Sequence, residues 1–215
     1  MMFLRHLPMI TRPIPDLHAQ LHEPANEPRA ALALTHGAGS NMDSALLTKL
    51  ADAFASQGVA ALRYNLYYRR KRPHGPPFPA TSSHDRESVA QVLTWLRTNV
   101  HPKVFGGGHS YGGRQSSMLA AEQRELLDGL LCLSYPLHPV RKPEELRTAH
   151  FPSIHVPTLF VHGTRDPFGL EGEMQAALAQ IPARHRVEYL AGDGHELKHL
   201  QPASVVRLFL DFFGL

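Results

Sequence analysis

A mostly parallel central sheet with helices on both faces is the fold class this sequence predicts, and three observations carry the prediction. Strand-like and helix-like segments alternate at least five times from Arg29 to the last residues. Several strand-like segments are continuously apolar instead of alternating, as strands buried on both faces are. Gly-rich turns bearing Ser, Asp or His follow strands directly, and in parallel sheets ligands gather at the C-terminal ends of the strands. No internal repeat and no shift in composition divides the chain, so residues 1–215 are expected to form one domain without a large cap.

Residues 1–28 carry Pro8, Pro13, Pro15, Pro24 and Pro28, which predicts edge strands and turns, because proline cannot donate to a central ladder. The start, Met1 to Ile10, is mildly apolar but interrupted by Arg5, His6 and Pro8, and reads as part of the fold and not as a leader. Arg29 to Thr35 is the first buried strand, breaking at His36-Gly37-Ala38-Gly39. Leu46, Leu47, Leu50 and Phe54 share one helical face between Asp43 and Gln57, with Gly58 as the stop. A strand from Val59 to Tyr64 precedes the longest stretch expected to be irregular, Leu66 to Ser83, which holds four prolines and Arg69-Arg70-Lys71-Arg72. A helix is predicted from Asp85 to Val100, with Trp95 off its apolar stripe. The next strand runs into Gly108-His109-Ser110-Tyr111-Gly112, and a helix follows. Further strands are predicted at Gly129 to Tyr135, Thr158 to His162 and Arg186 to Leu190, and helices near Glu171 to Gln180 and Ala203 to Phe213.

Composition excludes several function classes. The 22 Lys and Arg against 19 Asp and Glu leave +3, too little to imply nucleic acid. No apolar run approaches the roughly 20 residues that cross a bilayer, so membrane insertion is not expected. Cys132 is the one cysteine and lies in an apolar strand, which predicts a buried thiol, no intrachain disulfide and a cytoplasmic setting. The 15 histidines are scattered without metal-ligand spacing, and neither G-x-G-x-x-G nor the P-loop pattern occurs; no metal, nucleotide or other cofactor is expected.

The chemistry concentrates in Ser110, Asp166 and His195, each placed directly after a predicted strand. A serine hydroxyl is a weak nucleophile at neutral pH and needs a base to take its proton and a third group to orient that base. Histidine suits the first task and a carboxylate the second. The Gly108 to Gly112 segment fits G-x-S-x-G, where small neighbours permit the sharp strand-to-helix turn that lifts the serine above the sheet. Asp166 has a bland alternative as a turn residue before Pro167; Asp193 is a second candidate orienter, and His199 a less well placed competitor of His195. A tetrahedral oxyanion needs two donors: the backbone N–H of Tyr111, and that of Ala38, with Gly39 second. His36 is expected to be a structural hydrogen-bonder beneath that loop.

With these motifs the chain resembles the α/β-hydrolase superfamily, in its compact lidless branch near the dienelactone hydrolases. The resemblance spans residues 29–215 through Thr35 to Gly39, Gly108 to Gly113, Val161 to Pro167 and Gly192 to His195. The order Ser, Asp, His, separated by 56 and then 29 residues, is that superfamily's order. The chain also looks similar to an uncharacterised bacterial subgroup related to a subunit of a eukaryotic histone-acetyltransferase complex. The resemblance implies a serine-hydrolase triad on Ser110, Asp166 and His195. Serine stands where dienelactone hydrolases carry a cysteine nucleophile, so their substrate is not carried over.

The expected activity is hydrolysis of a small-molecule ester, thioester or related acyl bond; the rival is a catalytically silent binding or scaffold module of the same fold. Without a cap the pocket walls must come from strand-end loops, and Gly39, Tyr68, Arg114, Tyr135 and Phe168 are the expected substrate contacts. Arg114 and Arg165 are the better placed cations, read as either binders of a substrate carboxylate or members of structural ion pairs, and the Arg69 to Arg72 cluster is read as either a solvated basic loop or an anion attractor at the mouth.

Overall fold

The computed structural model describes residues 10–215, so the reading of the first nine residues lies outside the described part. The strands are β1 (Ile10–Ile14), β2 (Ala19–Glu23), β3 (Ala30–Thr35), β4 (Val59–Tyr64), β5 (Val104–His109), β6 (Gly129–Leu133), β7 (Thr158–Gly163) and β8 (His185–Leu190). They form one eight-stranded sheet in the order β1-β2-β4-β3-β5-β6-β7-β8. From β4 to β8 every neighbouring pair is parallel, while β1 and β2 run antiparallel at one edge, where Pro13 is tolerated. Residues 10–23 thus form an edge hairpin, in keeping with Pro13 and Pro15.

Helices α1 (Ala45–Ser56) and α6 (Pro202–Phe213) cover one face; α3 (Ser82–Asn99), α4 (Tyr111–Glu122) and α5 (Glu171–Leu178) cover the other. The strand β3 shows why its sequence is continuously apolar: Ala31 and Ala33 face the α3/α4 side, while Leu32 and Leu34 face α1 and α6. On that second face Phe209 packs between Phe54 and Phe105, with ring centroids 5.0 Å from each. Truncating such a ring typically costs about 3–5 kcal/mol. Cys132 is buried on β6, and burial pushes its thiol up to about 12. Trp95 is half-buried against the α3 side, with the Arg12 guanidinium 5.9 Å from its ring centroid.

The boundaries differ from the sequence reading where side chains intervene. Helix α1 begins at Ala45 and not Asp43, because the Ser44 hydroxyl accepts from the Leu47 N–H and caps it. Helix α3 begins three residues early, after a single 3-10 turn at Pro79–Thr81. The larger correction concerns the stretch read as irregular: it contains a five-residue helix, α2 (Tyr67–Lys71), too short to register as periodicity and held by burial of Tyr68 and Arg69. Among the described residues, no helix is long and apolar enough to cross a membrane.

The chain order reverses beside β3, whose neighbours β4 and β5 lie on opposite sides. At such a switch point the loops leaving two adjacent strands part and open a crevice at the strand ends. Thr35 of β3 is level with Gly108 of β5, so His36 to Ser40 and the turn at Ser110 face this crevice together.

Candidate active site

Ser110 occupies the turn between β5 and α4 with φ 52° and ψ −117°, a left-handed conformation that an L-residue adopts at a cost of order 1–3 kcal/mol. The two glycines of the pattern are what permit it. A Cβ at Gly108 would collide with the Thr35 carbonyl oxygen, and one at Gly112 would sit 2.7 Å from the Thr35 Cγ2. The Ser110 N–H donates to the Leu133 carbonyl at 2.8 Å, which ties the turn to the end of β6.

The three residues singled out in the sequence converge here. The Ser110 Oγ lies 2.8 Å from His195 Nε2, and His195 Nδ1 lies 2.8 Å from Asp166 Oδ2. Asp166 is fully buried, and its other oxygen accepts the Phe168 N–H at 2.9 Å. An ionised carboxylate only accepts, so His195 Nδ1 carries the proton and Nε2 is free to accept from the serine hydroxyl. His195 is held at two further points, its backbone and its ring. His109 Nε2 donates to the His195 carbonyl at 2.8 Å, and the Phe168 ring lies 4.3 Å from the His195 ring. A histidine so placed can take a proton from the hydroxyl and return it to a leaving group.

The alternatives weighed in the sequence go elsewhere. Asp193 accepts from the ring Nδ1 of His199 at 2.7 Å and from its backbone N–H, so it is not the partner of His195. His199 itself is exposed on the surface side of that loop.

The loop after β3 is positioned from below. Tyr68 Oη lies 2.9 Å from the Ala38 carbonyl oxygen and 3.2 Å from that of Gly37, and Arg69 donates to the Ala38 carbonyl at 3.0 Å. In a trans peptide the N–H points opposite to the preceding carbonyl. With both carbonyls turned toward α2, the N–H groups of Ala38 and Gly39 turn away from it, and both residues line the cavity beside Ser110. His36 is buried beneath, accepting the Leu66 N–H at Nε2 and donating from Nδ1 to the Gly37 carbonyl at 3.0 Å. Burial lowers its pKa to about 4, which keeps the ring neutral. Tyr111 donates its hydroxyl to the buried carboxylate of Asp85 at 2.8 Å, and the other oxygen of Asp85 accepts the Tyr68 N–H. Burial pushes the Asp85 carboxyl up.

A cavity of about 1000 Å³ opens above Ser110. Of the expected substrate contacts, Gly39, Arg114 and Phe168 line it. Tyr68 and Tyr135 do not, which corrects the sequence reading: both are buried, Tyr68 under the β3 loop and Tyr135 with its hydroxyl on the Arg147 carbonyl at 2.8 Å. Arg165 is exposed outside the cavity, its N–H bonded to the Asp193 carbonyl. The basic cluster is divided and lies outside the cavity wall: Lys71 and Arg72 are exposed to solvent and Arg70 is half-buried, while Arg69 is not solvated. Arg69 is buried and spends its donors on the carbonyls of Ser40, Ala38, Arg72, Pro73 and Gly75. Arg72 lies over the Phe78 ring. Sequence reasoning missed Asp85, Arg147 and the wall formed by Pro76 to Pro79. A carboxylate in the first turn of a helix usually reads as a dipole effect, and nothing local distinguishes Asp85 from one. Among the described residues no cluster of His, Cys, Asp and Glu is arranged to hold a metal ion.

Solved structures share this architecture. TT1662 from Thermus thermophilus superposes with a TM-score of 0.79 at 18% identity, covering 97% of this chain and all of that one. Est1E from Butyrivibrio proteoclasticus, solved with ferulic acid bound, gives 0.73 at 18% identity, covering 90% of this chain and 92% of its own. A dienelactone hydrolase from Anabaena variabilis gives 0.72 at 20% identity, covering 96% of each chain. The sequence matches the alpha/beta hydrolase domain over residues 28–206, so the chain belongs to the α/β-hydrolase family.

Proposed function

We propose that the protein is a serine hydrolase that cleaves a small ester, thioester or related acyl bond through an acyl-enzyme on Ser110. The observation that carries the reading is the unbroken hydrogen-bonded line from Ser110 through His195 to Asp166 at the floor of an open cavity. In the first half-reaction the Ser110 Oγ attacks the substrate carbonyl carbon while its proton passes to His195 Nε2. Asp166 holds the tautomer and stabilises the imidazolium. The N–H of Tyr111 and the N–H of Ala38, with Gly39 beside it, receive the charge on the tetrahedral oxygen. Collapse breaks the acyl bond, and the leaving group takes the proton from Nε2. Water then attacks the acyl-enzyme with His195 as base, releasing the acid and restoring the serine. No cofactor enters any step. The family membership and the esterase and dienelactone hydrolase folds alongside it support the reaction class.

A fluorophosphonate probe tests the assignment directly. Wild-type protein is expected to be labelled and to hydrolyse 4-nitrophenyl acetate, while Ser110→Ala is unlabelled and loses roughly 10³-fold or more in kcat. Equal labelling of the two proteins would sink the assignment.

A further inference from the structure

Two arginines of the cavity wall have no side-chain partner among the described residues. Arg114 lies one helical turn beyond the nucleophile on α4, its N–H bonded to the Ser110 carbonyl at 3.0 Å, and Arg147 comes from the loop after β6. Residues four apart on a helix share a face, with Cβ atoms about 5–6 Å apart. Both arginines are half-buried, and among the described residues neither forms an ion pair or a side-chain hydrogen bond. The Nε of Arg114 is buried with no acceptor among the described residues. This contrasts with Arg69, which has five carbonyls around it.

Among the described residues, no carboxylate pairs with either guanidinium. His150 donates to the Ser117 hydroxyl at 2.8 Å, and burial, with Arg114 and Arg86 nearby, lowers its pKa to about 4, so it is neutral. Tyr135 is a buried phenol whose pKa burial raises, hence also neutral. Arg86 is already paired with Glu122, and Glu145, whose charge acts on Arg147, is paired with Lys142 at 2.6 Å. Burial first, and the charge of Arg114 second, hold the Arg147 guanidinium below its ordinary range, and both side chains line the same cavity. Among the described residues, Glu196 is the one acid of the cavity wall, and it follows His195 directly in the chain. Two guanidinium groups kept partly out of water without a counter-charge cost free energy that a bound anion would offset. Much of the remaining wall is apolar, with Leu46, Pro77, Phe78 and Phe168.

We infer that Arg114 and Arg147 form a carboxylate-binding subsite, and that the substrate is an acyl ester bearing a carboxylate a short chain away from the scissile carbonyl. The inference rests on the serine-hydrolase reading and names its substrate class. The carboxylate belongs either to the acyl half, as in a monoester of a short dicarboxylic acid, or to the alcohol half, as in an acylated hydroxy acid.

Two substrate pairs separate these sources: monoethyl glutarate against ethyl butyrate for the acyl half, and 4-acetoxybenzoate against phenyl acetate for the alcohol half. Wild-type protein followed in a pH-stat is expected to favour the anionic member of one pair in kcat/KM by about 10-fold or more, the size of one charge-assisted bidentate contact. The favoured pair identifies the half that carries the charge. Arg114→Gln and Arg147→Gln are each expected to collapse that preference about 10-fold, mainly through KM. Arg147 sits on a loop, so its variant keeps the test decisive even where Arg114→Gln fails to fold. No preference in either pair, or the same preference in wild type and both variants, overturns the subsite. Loss of all ester turnover in wild type would instead overturn the hydrolase reading. Calorimetric titration of Ser110→Ala with glutarate then decides the subsite alone: binding that disappears in Ser110→Ala/Arg147→Gln upholds it, and no binding at millimolar glutarate rejects it.

Discussion

The turn at Ser110 and the loop at Gly37 to Ser40 face one another across the same crevice, yet they are held in shape by opposite means. The turn is specified by its own residues. Gly108 and Gly112 remove the Cβ atoms that would meet β3, and the strained φ of Ser110 follows from the tight strand-to-helix connection. The β3 loop is specified from a distance, by Tyr68 and Arg69 of α2 and by the buried ring of His36. A locally encoded turn tolerates little change within it, whereas a remotely encoded loop is sensitive to change beneath it.

The largest expected effect tests the first half of that contrast. Gly108→Ala would drive a Cβ into the Thr35 carbonyl between two central strands, and a backbone atom there cannot swing aside. We expect no folded protein, or a loss of about 4 kcal/mol or more in urea unfolding. Gly39→Ala, on the opposite loop, meets nothing within 4 Å of the added Cβ. Its unfolding free energy is expected to stay within about 0.5 kcal/mol of wild type. Similar midpoints for the two variants would break the comparison.

The same contrast explains what the sequence reveals. The serine turn, the strand ends carrying Asp166 and His195, and the alternation of buried strands and helices are all local patterns, so they can be read without coordinates. What α2 does cannot. Its five residues carry too little periodicity to read as helix, and Arg69 looks like one member of a basic cluster although its guanidinium is enclosed by carbonyls. Tyr68 reads as a pocket residue because it follows a strand end; only the path of the chain shows it lying under the β3 loop. Arg147 is hidden for a similar reason, in a loop without periodicity whose route back to the cavity depends on Tyr135 and Leu137.

A second test uses pH to load the remotely held loop. The ring of His36 has its pKa lowered from 6.5 to about 4, so between those values the unfolded chain binds a proton that the folded chain refuses. Stability therefore rises with pH through this window and is lost as pH falls from about 6.5 toward 4, by on the order of 3 kcal/mol for a fully buried ring. His36→Asn keeps a side-chain N–H for the Gly37 carbonyl and removes the titration. Urea midpoints measured from pH 7 to pH 4 should show a dependence shallower by about one proton in the variant than in wild type. Parallel curves would mean that the ring titrates alike folded and unfolded, and that it does not hold the loop through its neutral form.

The smallest effect sharpens the comparison most. Tyr68→Phe deletes one hydroxyl that contacts two carbonyls of the β3 loop, while Arg69 still holds the carbonyl of Ala38. The lost hydrogen bonding should lower stability by only about 1 kcal/mol. Under the proposed role of the Ala38 N–H as an oxyanion donor, its effect on catalysis should be larger than its effect on binding, because such a donor acts on charge that develops in the transition state. We expect kcat for a neutral ester such as 4-nitrophenyl acetate to fall about 10-fold with KM within a factor of two, less than the 10²–10³-fold loss typical of deleting a donor outright. A change confined to KM would place Tyr68 in substrate binding after all. An unchanged kcat would show that Arg69 alone orients the Ala38 peptide, and would move the remote control of this loop from the phenol to the guanidinium beside it.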